Sequence, residues 1–443
     1  MNAVSSLKNR IGKYKDNLLL NRLFSVLSVD ILVKLSGVIL LPVYLRLMTQ
    51  DEYGLYGYLI SIILTFSVVL NFGLYIPLSK FYHDFENLKD RGQLLFTIFS
   101  LLAGTLLIVI VPIYFFGFDY ELVKILFKNQ INYPNYRGSV LLALIATIFN
   151  FMLTNFFFTS EKIKHLQIYN IIRIICINVI TLAFLFFLAN KDKVRVRLES
   201  TYLVELVLFF AFFYLYAKEI NPKFNFKIAV PALKLAIPVM LSAVFGIVIN
   251  FSDKFFLEKY GSFKDMSYYY LAVSCASVIP MIFASFQNAW LPLFLKEKDL
   301  KKNIEKTNKL IIRLFLIFLI LSVLILIFVK ILLVLNIIQS KYNETMFVLP
   351  ILLVSQIISA LVPLYSNYLV YFEKTLIVSV TGLVVCCVSL GLSILIIPGY
   401  GVYGAAMVSL LGNLSYFIIY YFIVKIYKEK KIADSISVAE NIN

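Results

Sequence analysis

The residues able to do chemistry are few, and most lie inside long apolar runs. Asp30 and Lys34 stand four residues apart, on one face of a helix, where they can pair. Arg173 has no acidic neighbour in its own run, and its planar donors suit an oxyanion. Glu205 sits inside another run, and Asp253 is followed directly by Lys254. Lys80 and Arg46 lie near the ends of runs. A charge in hydrocarbon is costly, so ionisable residues there are the first candidates for a functional site. Cations among them can hold an anion, and a desolvated carboxylate can bind a proton or Na⁺. Asp30, Glu205 and Asp253 are therefore the coupling-ion candidates.

Other chemistries lack their residues. His83 and His165 are far apart, and the sequence has no CxxC, HExxH or His/carboxylate cluster, so a metal site has no support. Cys176, Cys275, Cys386 and Cys387 lie in apolar runs and read as small hydrophobes. There is no GxxxxGK[ST] loop, so ATP is not expected as the direct energy source. No cofactor is expected beyond H⁺ or Na⁺ coupling.

The elements that must position these residues follow from composition. Of 443 residues, 61% are hydrophobic and 15% charged, with mean hydropathy +0.87. Soluble proteins run at about 45–50% apolar and about 25% charged. A soluble enzyme, a disordered chain and a disulfide scaffold are thereby excluded. Long unbroken runs also argue against a transmembrane β-barrel, whose short strands alternate. The expected fold class is an all-α polytopic membrane protein.

Twelve segments reach the roughly 20 apolar residues that one crossing needs. Their cores are 19–47, 56–78, 93–117, 138–160, 167–189, 199–217, 233–257, 267–295, 310–335, 346–371, 375–397 and 402–424. The first is too long for a signal-peptide core and has no small-residue cleavage site. With the N-terminus in the cytoplasm, 25 of the 41 Lys and Arg fall on that side, seven of them between Lys296 and Arg313. Both termini are expected to be cytoplasmic, and the net charge of +16 reads as this bias rather than as nucleic-acid binding. Lys191, Lys193, Arg195 and Arg197 run against it. The basic segment Lys8 to Lys15 is expected to lie on anionic headgroups of membrane lipids. The longest external connection, 118–137, leaves no room for a soluble domain.

The spans divide into two sets of six. Tyr56-Gly57-Tyr58-Leu59 returns as Tyr268-Tyr269-Tyr270-Leu271, and Asn155, Glu161 and Lys162 return as Asn367, Glu373 and Lys374. Both offsets are 212 residues. An even number of spans per half gives a parallel repeat, related by an axis along the membrane normal, with a central cleft between the bundles. The expected division is an N-terminal bundle (1–217), a cytoplasmic linker (218–232) and a C-terminal bundle with a short tail (233–443). Rocking one bundle against the other is how transporters of this architecture alternate access. The paired Glu-Lys turns read as helix connectors.

Four segments carry a family resemblance. Residues 42–59, PVYLRLMTQDEYGLYGYL, resemble the end of helix one in the polysaccharide-export branch of the multidrug/oligosaccharidyl-lipid/polysaccharide exporter superfamily. Arg46, Glu52, Gly54 and Tyr56 fall on its recurring pattern. Residues 238–257 look like its helix seven, ending in Asp253-Lys254, and 286–294 like the aromatic-Pro end of helix eight. Residues 398–406, PGYGVYGAA, look like the start of helix twelve. The resemblance is to Wzx-type O-antigen and polysaccharide flippases. It implies a V-shaped pair of six-helix bundles in the bacterial cytoplasmic (inner) membrane. It also implies movement of a polyprenyl-pyrophosphate-linked oligosaccharide between leaflets, for O-antigen, capsule or another surface polysaccharide. Flipping breaks no covalent bond in the substrate, so no catalytic residue is expected.

Such a substrate needs a cationic, polar cleft. Lys34 and Arg173 are the phosphate candidates, although Asp30–Lys34 can equally be a self-compensating pair and Arg173 can snorkel to the cytoplasmic face. Lys80 is a headgroup candidate or an ordinary positive-inside residue. Arg46 and Lys254 are candidates for release or an outer gate, or are interfacial anchors. Gln287, Asn288 and Trp290 are candidates for sugar contact, with Trp290 equally at home in an interfacial belt. Expected partners are the lipid-linked oligosaccharide and membrane lipids, with polysaccharide polymerase and glycosyltransferases beside them. Two alternatives remain: a cation-coupled exporter of small amphiphiles on the same fold, and a glycan-transferring enzyme. The enzyme would need a long external loop bearing its catalytic residues.

Overall fold

The computed structural model describes residue 37 and residues 39–440, apart from 129, 130, 189, 298 and 373. Most of the expected first span, with Arg22, Asp30 and Lys34, lies outside the described residues, as do Lys8 to Lys15 and Glu373.

Among the described residues the regular elements are helices. Hydrocarbon offers no hydrogen-bond partner, so a spanning segment must satisfy its backbone internally. The chain runs α1 (Leu41–Leu47), α2 (Gln50–Leu70), α3 (Tyr75–Tyr82), α4 (Leu88–Phe116), α5 (Phe118–Leu126), α6 (Tyr133–Thr159), α7 (Ile163–Phe187) and α8 (Lys193–Ala217). It continues with α9 (Phe226–Tyr260), α10 (Phe263–Ala276), α11 (Val278–Lys296), α12 (Leu300–Val334), a 3₁₀ turn (Ser340–Tyr342), α13 (Thr345–Tyr371) and α14 (Thr375–Glu440). Nine helical stretches among the described residues are long and apolar enough to cross a membrane, and the bent α9 makes a tenth. The last stretch, Leu376–Lys430, is far longer than one crossing needs and breaks at Gly401, whose φ is +51°. That break falls between the expected eleventh and twelfth spans. The chain is a multi-pass helical membrane protein.

Polar caps set the helix starts. Thr49 Oγ1 accepts from the Glu52 amide at 3.2 Å, and Glu52 returns the bond to the Thr49 amide at 2.7 Å. Ser262 and Asp265 repeat this capping box at the start of α10. The two boxes are the same device 213 residues apart, one residue out of step with the 212-residue offset of the tyrosine motif. The second crossing therefore begins at Gln50, not at residue 56. A search for apolar residues misses the polar first turn that the cap requires. This crossing is also interrupted at Phe72 and Gly73, both at positive φ, before it resumes as α3.

The second part of the expected linker, from Phe226, is helical. Asn225 caps α9, which starts at Phe226, and Ile228, Ala232 and Ala236 pack into a core with α3, α4, α6 and α8. The Asn221 amide lies against Gly92. The first turns of α9 thus pack on the N-terminal half.

Burial divides the molecule by its ends. One large core takes residues from both halves: Leu45, Tyr53, Tyr58, Leu198, Leu257, Tyr269 and Leu349 belong to it. Toward the other end the cores separate. Leu94, Phe156 and Tyr216 lie in one; Phe294, Tyr368 and Val424 lie in another. The joined end is the one that carries Arg46, the expected external end. Its seal is the crossing of α2 on α10. A β-carbon at Gly54 would overlap the Phe263 carbonyl, and one at Gly57 would overlap the Tyr270 ring. Only glycine allows this approach.

Gly54→Leu is expected to open the seal. Cysteines replacing Gln50 and Lys341, introduced without the four native cysteines, bridge the halves where the Gln50 side chain meets the Lys341 carbonyl at 2.7 Å. Their cross-linking with a short bifunctional thiol reagent should be efficient in the parent and fall several-fold in Gly54→Leu. Equal yields would show that this crossing does not hold the end shut.

Candidate functional site: buried charges around a sealed end

Arg46 spans the seal. It ends α1 in the N-terminal half, and its guanidinium donates to the carbonyls of Asn336 at 2.6 Å and Ile337 at 3.0 Å. Those carbonyls follow the C-terminus of α12, where Asn336 adopts φ +53°. A helix C-terminus leaves carbonyls unpaired and carries partial negative charge, so a guanidinium fits there. Lys341 Nζ reaches back to the Met48 carbonyl at 3.5 Å. The Lys128 amide donates to both carboxylate oxygens of buried Glu258, at 3.0 and 2.9 Å. Tyr58 stacks on Phe251 across the same end, with centroids 5.8 Å apart.

Arg173 and Glu205, candidates for different roles, form one ion pair between α7 and α8. Arg173 Nε donates to Glu205 Oε1 at 3.0 Å, and Nη2 joins the same oxygen. With the Asn150 amide oriented to accept from Arg173 Nε and Nη2, both at 3.0 Å, its nitrogen donates to Tyr169 Oη at 2.6 Å. Three helices of the N-terminal half are tied by this network. Arg173 lacks an acid on its own helix, as its sequence shows, but the next helix supplies one. An anion reaching Arg173 must compete with Glu205.

Asp253 and Lys254 are also satisfied within one half. Tyr269 Oη donates to Asp253 Oδ2, while Lys254 Nζ reaches Asp253 Oδ1 at 3.1 Å and the Asn250 carbonyl at 2.6 Å. Lys80 is exposed at the end of α3. Gln287 Nε2 donates to Asn367 Oδ1 at 2.9 Å, joining α11 to α13, and the Trp290 ring lies 6.2 Å from Phe286 in a stacked arrangement. Gln287 Oε1, Trp290 Nε1 and Asn367 Nδ2 are buried without a hydrogen-bond partner. The Asn288 side chain, like Asp30 and Lys34, lies outside the described residues. The structure therefore joins Arg173 to Glu205, Asp253 to Lys254, and Gln287 to the neighbourhood of Trp290. It does not bring these three groups into one constellation.

Four features escaped the sequence. Asp119 pairs with Arg137, with Nε at 2.5 Å and Nη2 at 3.0 Å, and accepts from Tyr133 Oη at 3.1 Å. This pair is part of the lining of a cavity of about 290 Å³, otherwise lined mostly by apolar side chains of α2, α4, α5 and α6. Lys428 Nζ sits 3.7 Å from the centre of the Tyr368 ring. Arg197, read only as one of four basic residues in a loop, is buried between the rings of Tyr44 and Tyr56, each centred 3.8 Å from its Cζ. A desolvated cation on aromatic faces gains about 2 kcal/mol or more. A local signal existed for it. Arg195 has Glu199 four residues on, whereas Arg197 has Thr201.

The Arg173–Glu205 pair gives a stability test. Breaking a buried pair from one side costs about 3–5 kcal/mol, because the remaining charge is left unpaired. Glu205→Gln should therefore lower the Tm of the purified protein in detergent clearly. The double variant Arg173→Met/Glu205→Leu should recover most of that loss. A Tm unchanged by Glu205→Gln would show that the pair carries no structural load.

Comparison with known proteins places this geometry. The sequence matches the family described as polysaccharide biosynthesis protein over residues 19–298. No curated protein matches it closely enough to be informative. Among solved structures it is similar to a lipid II flippase MurJ in an inward closed conformation, with TM-score 0.70 and 15% identity over 91% of this chain and 86% of that one. It is also similar to an inward-facing MATE-family multidrug transporter of the MOP superfamily, with TM-score 0.63 and 12% identity over 91% of this chain and 95% of that one. An outward-facing MATE structure gives TM-score 0.62 and 14% identity over 92% and 94%. Identities this low carry the fold alone. With 280 of its 443 residues inside the family match, the chain belongs to the polysaccharide biosynthesis protein family, on a fold shared with a lipid II flippase and MATE transporters.

Proposed function

We propose that this protein is a flippase that moves a polyprenyl-pyrophosphate-linked oligosaccharide across the cytoplasmic membrane by alternating access, for surface polysaccharide synthesis. The observation that carries the proposal is the arrangement of the cores. The halves share one core at the end bearing Arg46, whereas at the other end the N-terminal core takes only the first turns of α9 and the second core lies within the C-terminal half. A body sealed at one end by packing and hydrogen bonds can reopen there. The family match supports a role in polysaccharide synthesis, and the likeness to a lipid II flippase supports a lipid-linked substrate.

The orientation rests on the Lys and Arg bias, which puts the sealed end outside and both termini in the cytoplasm. The substrate then enters from the cytoplasmic leaflet, its lipid tail staying in the bilayer while the charged headgroup uses the space between the halves. Lys34 is the first headgroup cation in this reading, and Lys80 is placed to receive the headgroup at the cytoplasmic surface. Asp30, Glu205 and Asp253 stay the candidates for H⁺ or Na⁺ coupling. Glu205 and Asp253 each already hold a cationic side chain, which an ion would have to displace. A polymerase and glycosyltransferases would act on the substrate after and before this step.

The test is made in the native host. On depletion of the protein, complete polyprenyl-linked repeat units should accumulate on the cytoplasmic leaflet, and their mass identifies the sugar. Intact surface polysaccharide without such accumulation would replace this proposal with export of a small amphiphile. Accumulation on the outer leaflet would replace it with a step after flipping.

Within this reading the Arg46 clamp has a separate test. Arg46→Gln keeps a donor but loses the charge at the α12 terminus. It should label several-fold faster than the parent when a membrane-impermeant thiol reagent is applied from outside to a cysteine replacing Tyr342. Unchanged labelling would show that the clamp does not hold the outer end.

A further inference from the structure

Arg197 is the most buried guanidinium at the sealed end, at 8% exposure, and it has no carboxylate partner among the described residues. Its hydrogen bond there is a weak one, from Nη1 to Met48 Sδ at 3.5 Å. Beside it the hydroxyls of Tyr53 and Tyr342 are also buried and make no hydrogen bond. The Tyr53 ring is centred 5.9 Å from Arg197 Cζ and packs on Tyr270 at 5.5 Å and Tyr342 at 6.2 Å. A buried charge without a counter-ion, next to unused donors, is costly unless another state of the molecule uses them.

The halves divide this cage in a telling way. Tyr44, Met48, Tyr53, Tyr56 and Arg197 belong to the N-terminal half, and Tyr270 and Tyr342 to the C-terminal half. Separation of the halves at this end removes Tyr270 and Tyr342. Tyr44 and Tyr56 belong to the same half as Arg197 and stay against its guanidinium. What opens is the Tyr53 side of the cage, next to a guanidinium whose N–H donors no carboxylate among the described residues holds. The planar fork of a guanidinium matches the oxygens of a phosphate or diphosphate.

We propose that Arg197 is a diphosphate site of the outward-open state, masked by Tyr270 and Tyr342 while this end is sealed. It would hold the pyrophosphate of the lipid-linked substrate immediately before release. This rests on the function proposed above. Tyr270 and Tyr342 packed on Tyr53 and a headgroup seated at Arg197 exclude one another, so the end recloses when the anion departs.

The test uses the purified full chain in detergent, with inorganic pyrophosphate as the probe. Gly57→Val places a side chain against the Tyr270 ring and disfavours the sealed state. Phenylglyoxal should modify Arg197 slowly in the parent and at least ten-fold faster in Gly57→Val, read by peptide mass spectrometry. Pyrophosphate should protect it, and pyrophosphate binding by Gly57→Val should weaken at least ten-fold on adding Arg197→Gln. Should Gly57→Val fail to fold, the slow labelling of the parent over hours gives the same protection measurement. Rapid labelling without protection overturns the proposal, as does pyrophosphate binding indifferent to Arg197→Gln. Protection by phosphatidylglycerol but not by pyrophosphate also overturns it, in favour of an ordinary lipid headgroup. Loss of protection while flipping persists in the leaflet assay rejects only this site. Protection that persists when that assay fails rejects only the substrate.

Discussion

Two helices from different halves of the chain cross with no side chain between them at Gly54. That approach lets the polar starts of α2 and α10 lie side by side and brings Tyr53 onto Tyr270 and Tyr342. The rest of the sealed end depends on it. Arg46 reaches the α12 terminus, Gln50 reaches the Lys341 carbonyl, and Lys128 offers its amide to Glu258, because the two halves are already in contact. A single β-carbon at Gly54 would push the backbones apart by more than any of these bonds can stretch.

The bilayer sets the second constraint. Hydrocarbon penalises each unpaired charge, so the intramembrane ionisable residues are organised before any substrate arrives. Arg173 and Glu205 neutralise one another, and Asn150 and Tyr169 use donors and acceptors the pair leaves over. Asp253 is held by Lys254 and Tyr269. Arg197 departs from this pattern, with aromatic faces in place of a counter-ion.

Much of the architecture was legible in the sequence, because lipid demands long apolar runs and duplication leaves a fixed offset. The helical class, the break between the last two spans and the kinship of α2 with α10 all come from such signals. Contacts within the site were not legible. Glu205 lies 32 residues from Arg173, on a neighbouring helix, and a span apolar on all sides does not reveal which way it is rotated. Asn367 was visible as a repeat of Asn155, yet it meets Gln287, whereas Asn155 bonds back to Phe151 of its own helix. Similarly, the first turns of α9, with Lys227 among their residues, fell in the expected linker because the apolar core was counted only from residue 233.

The charges sort by what they join. Among the described residues, the ion pairs lie within one half: Arg173–Glu205, Asp119–Arg137 and Lys162–Glu219 in the first, Asp253–Lys254 in the second. The polar contacts that cross the seal are of another kind, a charged or amide side chain on a backbone carbonyl, or a backbone amide on a carboxylate. Separating a buried ion pair leaves two costly charges, whereas a carbonyl or an amide released at the membrane surface finds water. In the alternating access proposed above, each half would carry its ion pairs intact while the bonds between the halves exchange with solvent. That division, with ion pairs inside each half and replaceable hydrogen bonds between the halves, is what the proposed opening and closing requires.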